Sequence, residues 1–437
     1  MGVMTLILVT LLVALGLFVA VAHDRQWARH VDRFLCSWLI ALTAWPVIVI
    51  YAVAPALWST ADAAGPIFAV LLYGPAAGIS VAAALRAVSA SDLRIDSSAA
   101  ILALLMLYAC AAMIVDGSGR IVNLVMSMAL LVGFVFRYRS FGLDDVARSA
   151  RIALVVTTGS LLVSVLFNSS RVVGACRIDK CTDLGAVLTS PFAGNGNLAG
   201  ITITALLPFA VYRVSMWRVL AAVAGVALIG LLAGSRTAFG GIAVAGLLGV
   251  VLAIPSITTR VRNLLLGLAL VASTVYSLFP LYIGYTNADY SLRGYLWNQA
   301  LREIPDQWFF GHNPAFWVES GASLLFKANY SPHNGWLEIL LSVGVWGVLL
   351  IVVAAVVKVV QTTDGTTRAF LLAYFSTILA LSSLEAVYVP YFLGIAPFAA
   401  LLPYFLYHHR PPVHRSSQSL SPVPGHEVST ESQMESR

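Results

Sequence analysis

The sequence predicts an all-α fold: a polytopic integral membrane helical bundle of about 12–13 transmembrane helices with one large extracytoplasmic loop. Three observations predict it. Hydrophobic residues make up 59% of the 437 and charged residues only 11%, less than half the roughly 25% usual in soluble domains. Apolar segments of about 20 residues, the length that crosses a bilayer, recur along the chain. Lys and Arg gather in alternate connections between those segments, as they do in cytoplasmic loops. The net charge of +6 is accounted for by these loops and calls for no nucleic-acid partner.

In order, the apolar spans fall at 3–22, 34–58, 66–87, 99–116, 121–136, 152–168, 196–213, 219–234, 237–254, 264–281, 335–357, 369–388 and 391–407. The first lacks a basic front end and a small-residue cleavage site, so it reads as a retained span rather than a signal peptide. Residues 1–407 form one transmembrane domain. Residues 408–437, rich in Ser, Pro and charge, cannot bury a core and read as a disordered cytoplasmic tail.

Orientation follows from the basic residues. One set of connections carries Arg25, Arg29 and Arg33, then Arg86 and Arg94, then Arg137, Arg139, Arg148 and Arg151, and continues so to the tail. The short connections of the opposite set carry only Arg120 and Arg236. The N-terminus is therefore expected outside, the C-terminus inside, and the long loops 169–195 and 282–333 extracytoplasmic. In the first of these, Cys176 and Cys181 suit a small disulfide-closed loop on the oxidising side. Cys36 and Cys110 fall within spans and read as packing residues.

The loop 282–333 interrupts the apolar pattern with arginines, histidines, carboxylates and aromatics, and such a polar island in a membrane protein packs on something or works on something. Within it, Trp297, Leu301, Ile304 and Trp308 recur every three to four residues, the spacing of an amphipathic helix lying on the membrane or on the spans. Arg293 opens that helix. It is either a solvated charge paired with Glu303 or Asp306, or a planar fork suited to phosphate. Arg236, in Gly234-Ser235-Arg236-Thr237, is held at the outer interface, where it either snorkels to headgroups or faces an anionic group of a lipid-borne substrate. His333 starts a span after Pro332. It is either an interfacial helix-start residue or a base for a hydroxyl near the bilayer surface, with Glu338 and His312 as candidates for orienting it. Asn195 and Asn197, at the mouth of the seventh span, could supply amide groups to sugar or phosphate oxygens, and Asn334, next to His333, is a further supporting candidate. The sequence holds no P-loop, dinucleotide fingerprint, HExxH or serine nucleophile elbow, so no cofactor and no metal are expected.

Five stretches, in order, resemble the O-antigen ligase and O-antigen polymerase family of bacterial envelope proteins. They are Phe192 through Ala199, Gly234 through Thr237, Arg293 through Trp297, Trp308 through Phe316 around Gly311, and His333 through Leu337 with Gly344 and Gly347 behind. The resemblance covers roughly residues 190–350. It implies a helical bundle in the bacterial inner membrane whose outer loop covers a cavity open to lipid. It also implies transfer of a glycan from a polyprenyl-diphosphate donor to a glycan, lipid or protein acceptor outside the cytoplasm. Arg236 and Arg293 would clamp the diphosphate and His333 would activate the acceptor hydroxyl. Two positions depart from the pattern. Ser342 stands where many relatives have Glu, and His312 follows Gly311 in place of a small or apolar residue.

Ligase and polymerase share this donor chemistry, and the sequence does not separate them. A polysaccharide-lipid transporter would instead carry charges midway through its spans and an internal repeat. Neither is evident, Glu385 near an outer end being the exception.

Overall fold

The computed structural model describes residues 2–23, 33–59, 61–89, 94–118, 121–137, 142–175, 185–192, 196–320, 331–387, 389, 396 and 398–406. It is a helical bundle. Helix α1 (Val3–Ala22) is followed by α2 (Arg33–Ile48), which runs through a π-helical turn (Val49–Val53) into α3 (Ala54–Leu57). Next come α4 (Ala61–Ser89), α5 (Ser97–Val115), α6 (Ile121–Val135), α7 (Leu143–Val172), α8 (Asn197–Ala210), α9 (Met216–Ala233), α10 (Arg236–Ala253) and α11 (Thr259–Ser277). The long loop holds α12 (Asp289–Glu303) and α13 (Phe316–Glu319), and α14 (Gly335–Gln361), α15 (Gly365–Ser382) and α16 (Phe398–Leu401) follow.

Among the described residues, eight helices are long and apolar enough to cross a membrane, and they match eight of the thirteen expected spans. The expected spans 121–136 and 196–213 are shorter apolar helices. Those at 264–281 and 369–388 are helical, as α11 and α15, which carry Arg260 and Arg262, and Arg368, in their first turns. The expected span 391–407 lies largely outside the described residues. The chain is a multi-pass helical membrane protein.

Side-chain caps mark where helices begin. Asp96, Ser235, Thr258, Asn334 and Asp364 each accept from a backbone amide of the first turn, satisfying donors that a helix start leaves open. Helix α8 is the axis of the bundle: all of its residues are buried, packed by α7, α9, α10 and α15. At 14 residues it is about 21 Å long, too short for a hydrocarbon core of about 30 Å, so its ends lie inside the protein. Arg151 closes one end, donating to Ala210 O (2.9 Å) and Tyr212 O (2.6 Å), where a cation also suits the helix dipole.

The opposite end of the bundle from the long loop is pinned by a buried pair, Lys358 Nζ to Asp96 Oδ2 at 3.0 Å, joining α14 to the start of α5. Two small antiparallel ladders accompany the helices: β1 (Arg94–Ile95) with β2 (Phe136–Arg137), and β3 (Val173–Ala175) with β4 (Ala186–Leu188). The second ladder brackets the segment that carries Cys176 and Cys181, and both cysteines lie outside the described residues. Cys36 is buried within α2 and Cys110 half-buried within α5.

The long loop is packed against the helices. Its helix α12 buries Leu296, Trp297 and Ala300 against Phe279, Trp317, Leu337 and Leu341. The amphipathic segment therefore lies on the spans, with Trp308, its last apolar position, left 56% exposed.

Candidate active site

Several helix ends meet where the long loop sits. Gly234 takes a left-handed conformation (φ 58°) to end α9, and Ser235 caps α10. Helix α8 begins tight against this turn: a Cβ on Gly196 would lie 2.5 Å from Ala233 Cα, so only glycine allows the approach. Asn334 ties three more ends together. Its Oδ1 accepts from Trp336 N and Leu337 N at 3.0 Å each, starting α14. Its Nδ2 donates to Ser277 O (2.9 Å) and Ser383 O (3.0 Å), closing α11 and α15. The N-termini of α8, α10 and α14 thus share one end of the bundle, and their dipoles favour an anion there.

The centre of this end is Glu385, fully buried just beyond α15. Its Oε1 accepts from Arg293 Nη2 at 2.7 Å and from Asn197 Nδ2 at 2.8 Å, and its Oε2 meets His333 Nδ1 at 2.7 Å. Burial alone would raise this carboxyl, but the adjoining His333 and Arg293 charges and their hydrogen bonds outweigh it, and the group is held at about 2. It therefore stays ionised. A carboxylate on Nδ1 fixes the ring tautomer so that a neutral His333 carries its lone pair on Nε2.

Two of these side chains ride on strained backbone. His333 itself has φ 54°, and the three residues before Arg293, namely Tyr290, Ser291 and Leu292, have φ of 53°, 61° and 69°. Left-handed non-glycine residues cost about 1–3 kcal/mol each and gather where surrounding structure forces a functional geometry. Glycine at 294 makes the turn feasible, because a Cβ there would lie 2.0 Å from Thr286 O. The guanidinium that results is nearly buried, and its Nε has no hydrogen-bond partner among the described residues.

The structure thus brings together Asn197, Arg293 and His333, and adds Glu385, which the sequence showed only as an isolated charge. Arg293 is paired with Glu385 rather than with Glu303 or Asp306. Arg236 is exposed at the first turn of α10, beside the start of α8. The two residues expected to orient the histidine are engaged elsewhere. Glu338 is buried in α14 and accepts from Ser342 Oγ at 3.0 Å, so the carboxyl and the departure at Ser342 are partners. His312 stacks on Phe316 (ring centroids 4.0 Å apart), and its Nε2 lies 2.9 Å from Glu303 O. Asn334 is a cap whose amide is fully used by backbone. Asn195 lies outside the described residues. Among the described residues, no group of three or more His, Cys, Asp or Glu is arranged to hold a metal ion.

Residues 219–352 match the family model described as Wzy_C, O-antigen ligase. This stretch contains Arg236, Arg293 and His333, whereas Asn197 and Glu385 come to the site from outside it. No curated protein and no solved structure matches the chain.

Proposed function

From the match of residues 219–352 to the O-antigen ligase family model, we propose that the chain transfers a polyprenyl-diphosphate-linked glycan to an acceptor hydroxyl. Glycan transfer in polysaccharide assembly is what the family supports generally. The observation that carries the finer reading is the buried Glu385, bonded at once to Arg293, His333 and Asn197. It joins a cation suited to a diphosphate and a base suited to a hydroxyl into one unit.

In this reading Arg293 and Arg236 receive the diphosphate as charge develops on the departing oxygen. The helix N-termini add to the same field. His333 Nε2 takes the proton of the acceptor hydroxyl while the new glycosidic bond forms and the bond to the diphosphate breaks. Glu385 stabilises the imidazolium that results. Attack opposite the leaving group inverts the anomeric carbon, and the two arginines supply the charge stabilisation without a metal. In this reading the site end of the bundle faces the extracytoplasmic side of the bacterial inner membrane, an orientation that the positive-inside pattern supports. Residues 1–407 act as the transferase domain, with 408–437 as a cytoplasmic tail.

The test is transfer by purified protein in liposomes carrying a polyprenyl-diphosphate glycan and a hydroxyl acceptor. Removing one transition-state donor or the base is expected to lower the rate by about 10²- to 10⁴-fold. Arg293→Ala and His333→Ala variants that still fold but transfer at the wild-type rate would refute the assigned roles.

A further inference from the structure

Helix α14 is broken at Gly344 (φ 65°, ψ −166°), and the break exposes backbone groups in the middle of an apolar helix. The long loop fills it. Val345 N donates to Trp308 O (3.0 Å), Trp346 N to Phe309 O (3.1 Å), and His312 N to Leu341 O (2.8 Å). On the other side Tyr108 Oη, from α5, donates to Phe310 O at 2.6 Å. Three consecutive carbonyls of the loop are therefore satisfied by protein, while their side chains point away from it. Trp308, Phe309 and Phe310 are 56%, 41% and 53% exposed.

The depth of these residues can be read from the two helices that hold them. Asp96 and Asp116 bracket α5, and at 1.5 Å per residue they are about 30 Å apart, the thickness of the hydrocarbon core. Tyr108 is about 18 Å from the Asp96 level, and Val345 is about 20 Å from Lys358. Because Lys358 and Asp96 are bonded to each other, the two helices give independent and concordant heights. Both put the aromatic triad about 10 Å below Asp116. The chain then returns to the rim, where Asn313 donates to Asp116 Oδ2 (2.6 Å) and Ser118 to Glu319 Oε1 (2.8 Å). Exposed Leu104 and Leu107 of α5 and Val345 and Leu349 of α14 continue the apolar surface beside the triad.

We infer that Trp308, Phe309 and Phe310 form a re-entrant wedge seated among the lipid acyl chains of the leaflet on the site side. Two observed features suit that position. Backbone in hydrocarbon must find its partners within the protein, and all three carbonyls do. Side chains there must be apolar or aromatic, and these are. A water-exposed loop would need neither feature. Helix α12 runs directly through the turn Ile304–Gln307 into the wedge, so the element that carries Arg293 is anchored at a fixed depth in the leaflet. The inference concerns membrane seating and does not depend on the transfer chemistry.

The test compares full-length wild-type protein with Trp308→Phe in phosphatidylcholine liposomes. The difference between their emission spectra isolates the Trp308 contribution. Lipid brominated at acyl carbons 6 and 7 is expected to reduce that contribution at least twofold, and aqueous acrylamide to leave it nearly unchanged. A Phe310→Trp change made in the Trp308→Phe background supplies a second reporter, expected to be quenched by brominated lipid in the same way. Quenching by acrylamide and not by brominated lipid would overturn the inference in favour of a water-exposed loop. Quenching by neither would overturn it in favour of burial against protein.

Discussion

Glu385 shows how a single side chain can organise a site without any local signature. Its partners stand 52, 92 and 188 positions away in the chain, so no motif or periodicity links them, and as a sequence feature it is one acid near a span end. Arg293 and His333 were legible because each sits in a polar setting beside apolar segments, yet their partners were not. Spacing offered Glu303 or Asp306 for the arginine and Glu338 for the histidine, and the fold supplied Glu385 to both. A definite pH dependence follows. The carboxyl is held at about 2, below its ordinary 4.5. A group depressed on folding contributes stability that is complete above its unfolded value and lost as pH falls through its folded one. Wild-type protein in detergent is therefore expected to lose thermal stability from about pH 5 downward, and Glu385→Gln to lose less over the same interval. Glu385 is a positioning residue for His333 in the proposed reaction. Transfer by Glu385→Gln should fall by about 10²-fold or more, with a changed pH profile and partial rescue in Glu385→Asp. An unchanged profile with normal transfer would remove that role.

At the scale of elements, the spans were legible because an apolar run of bilayer length has few alternatives, and caps such as Asp96 and Asp364 confirm where helices start. The shortness of α8 and the break in α14 were not, since both are fixed by neighbours rather than by their own sequences. Gly344 lies in a backbone region that is essentially restricted to glycine, and a Cβ there would come 2.2 Å from Phe309 O. Gly311 faces it with φ 72°, and a Cβ there would lie 2.4 Å from Val343 N. The two glycines are one joint, seen from its two strands of chain. Gly344→Ala is expected to destabilise the protein by about 2 kcal/mol or more, lowering the midpoint of thermal unfolding. It should also make the 308–312 segment more susceptible to proteolysis. A Gly344→Ala protein with the wild-type midpoint and cleavage pattern would show that the joint does not hold the loop.

For the whole molecule, composition gave the class, because the bilayer imposes it on any chain that crosses it, and the distribution of Lys and Arg gives the expected orientation. The gathering at one end of the starts of α8, α10 and α14 with the close of α15 needed the folded chain. The central claim is that this end transfers a lipid-linked glycan. It is tested most directly by the carrier-linked and surface glycans of a strain lacking the gene, complemented with wild type or with His333→Ala. The account predicts that wild type restores surface glycan and His333→Ala does not, with glycan left on the polyprenyl carrier. Single repeats on the carrier with long chains lost would assign polymerase action, and long chains stranded there would assign ligation. Equal carrier-linked and surface pools in the deletion strain and both complemented strains would contradict the account.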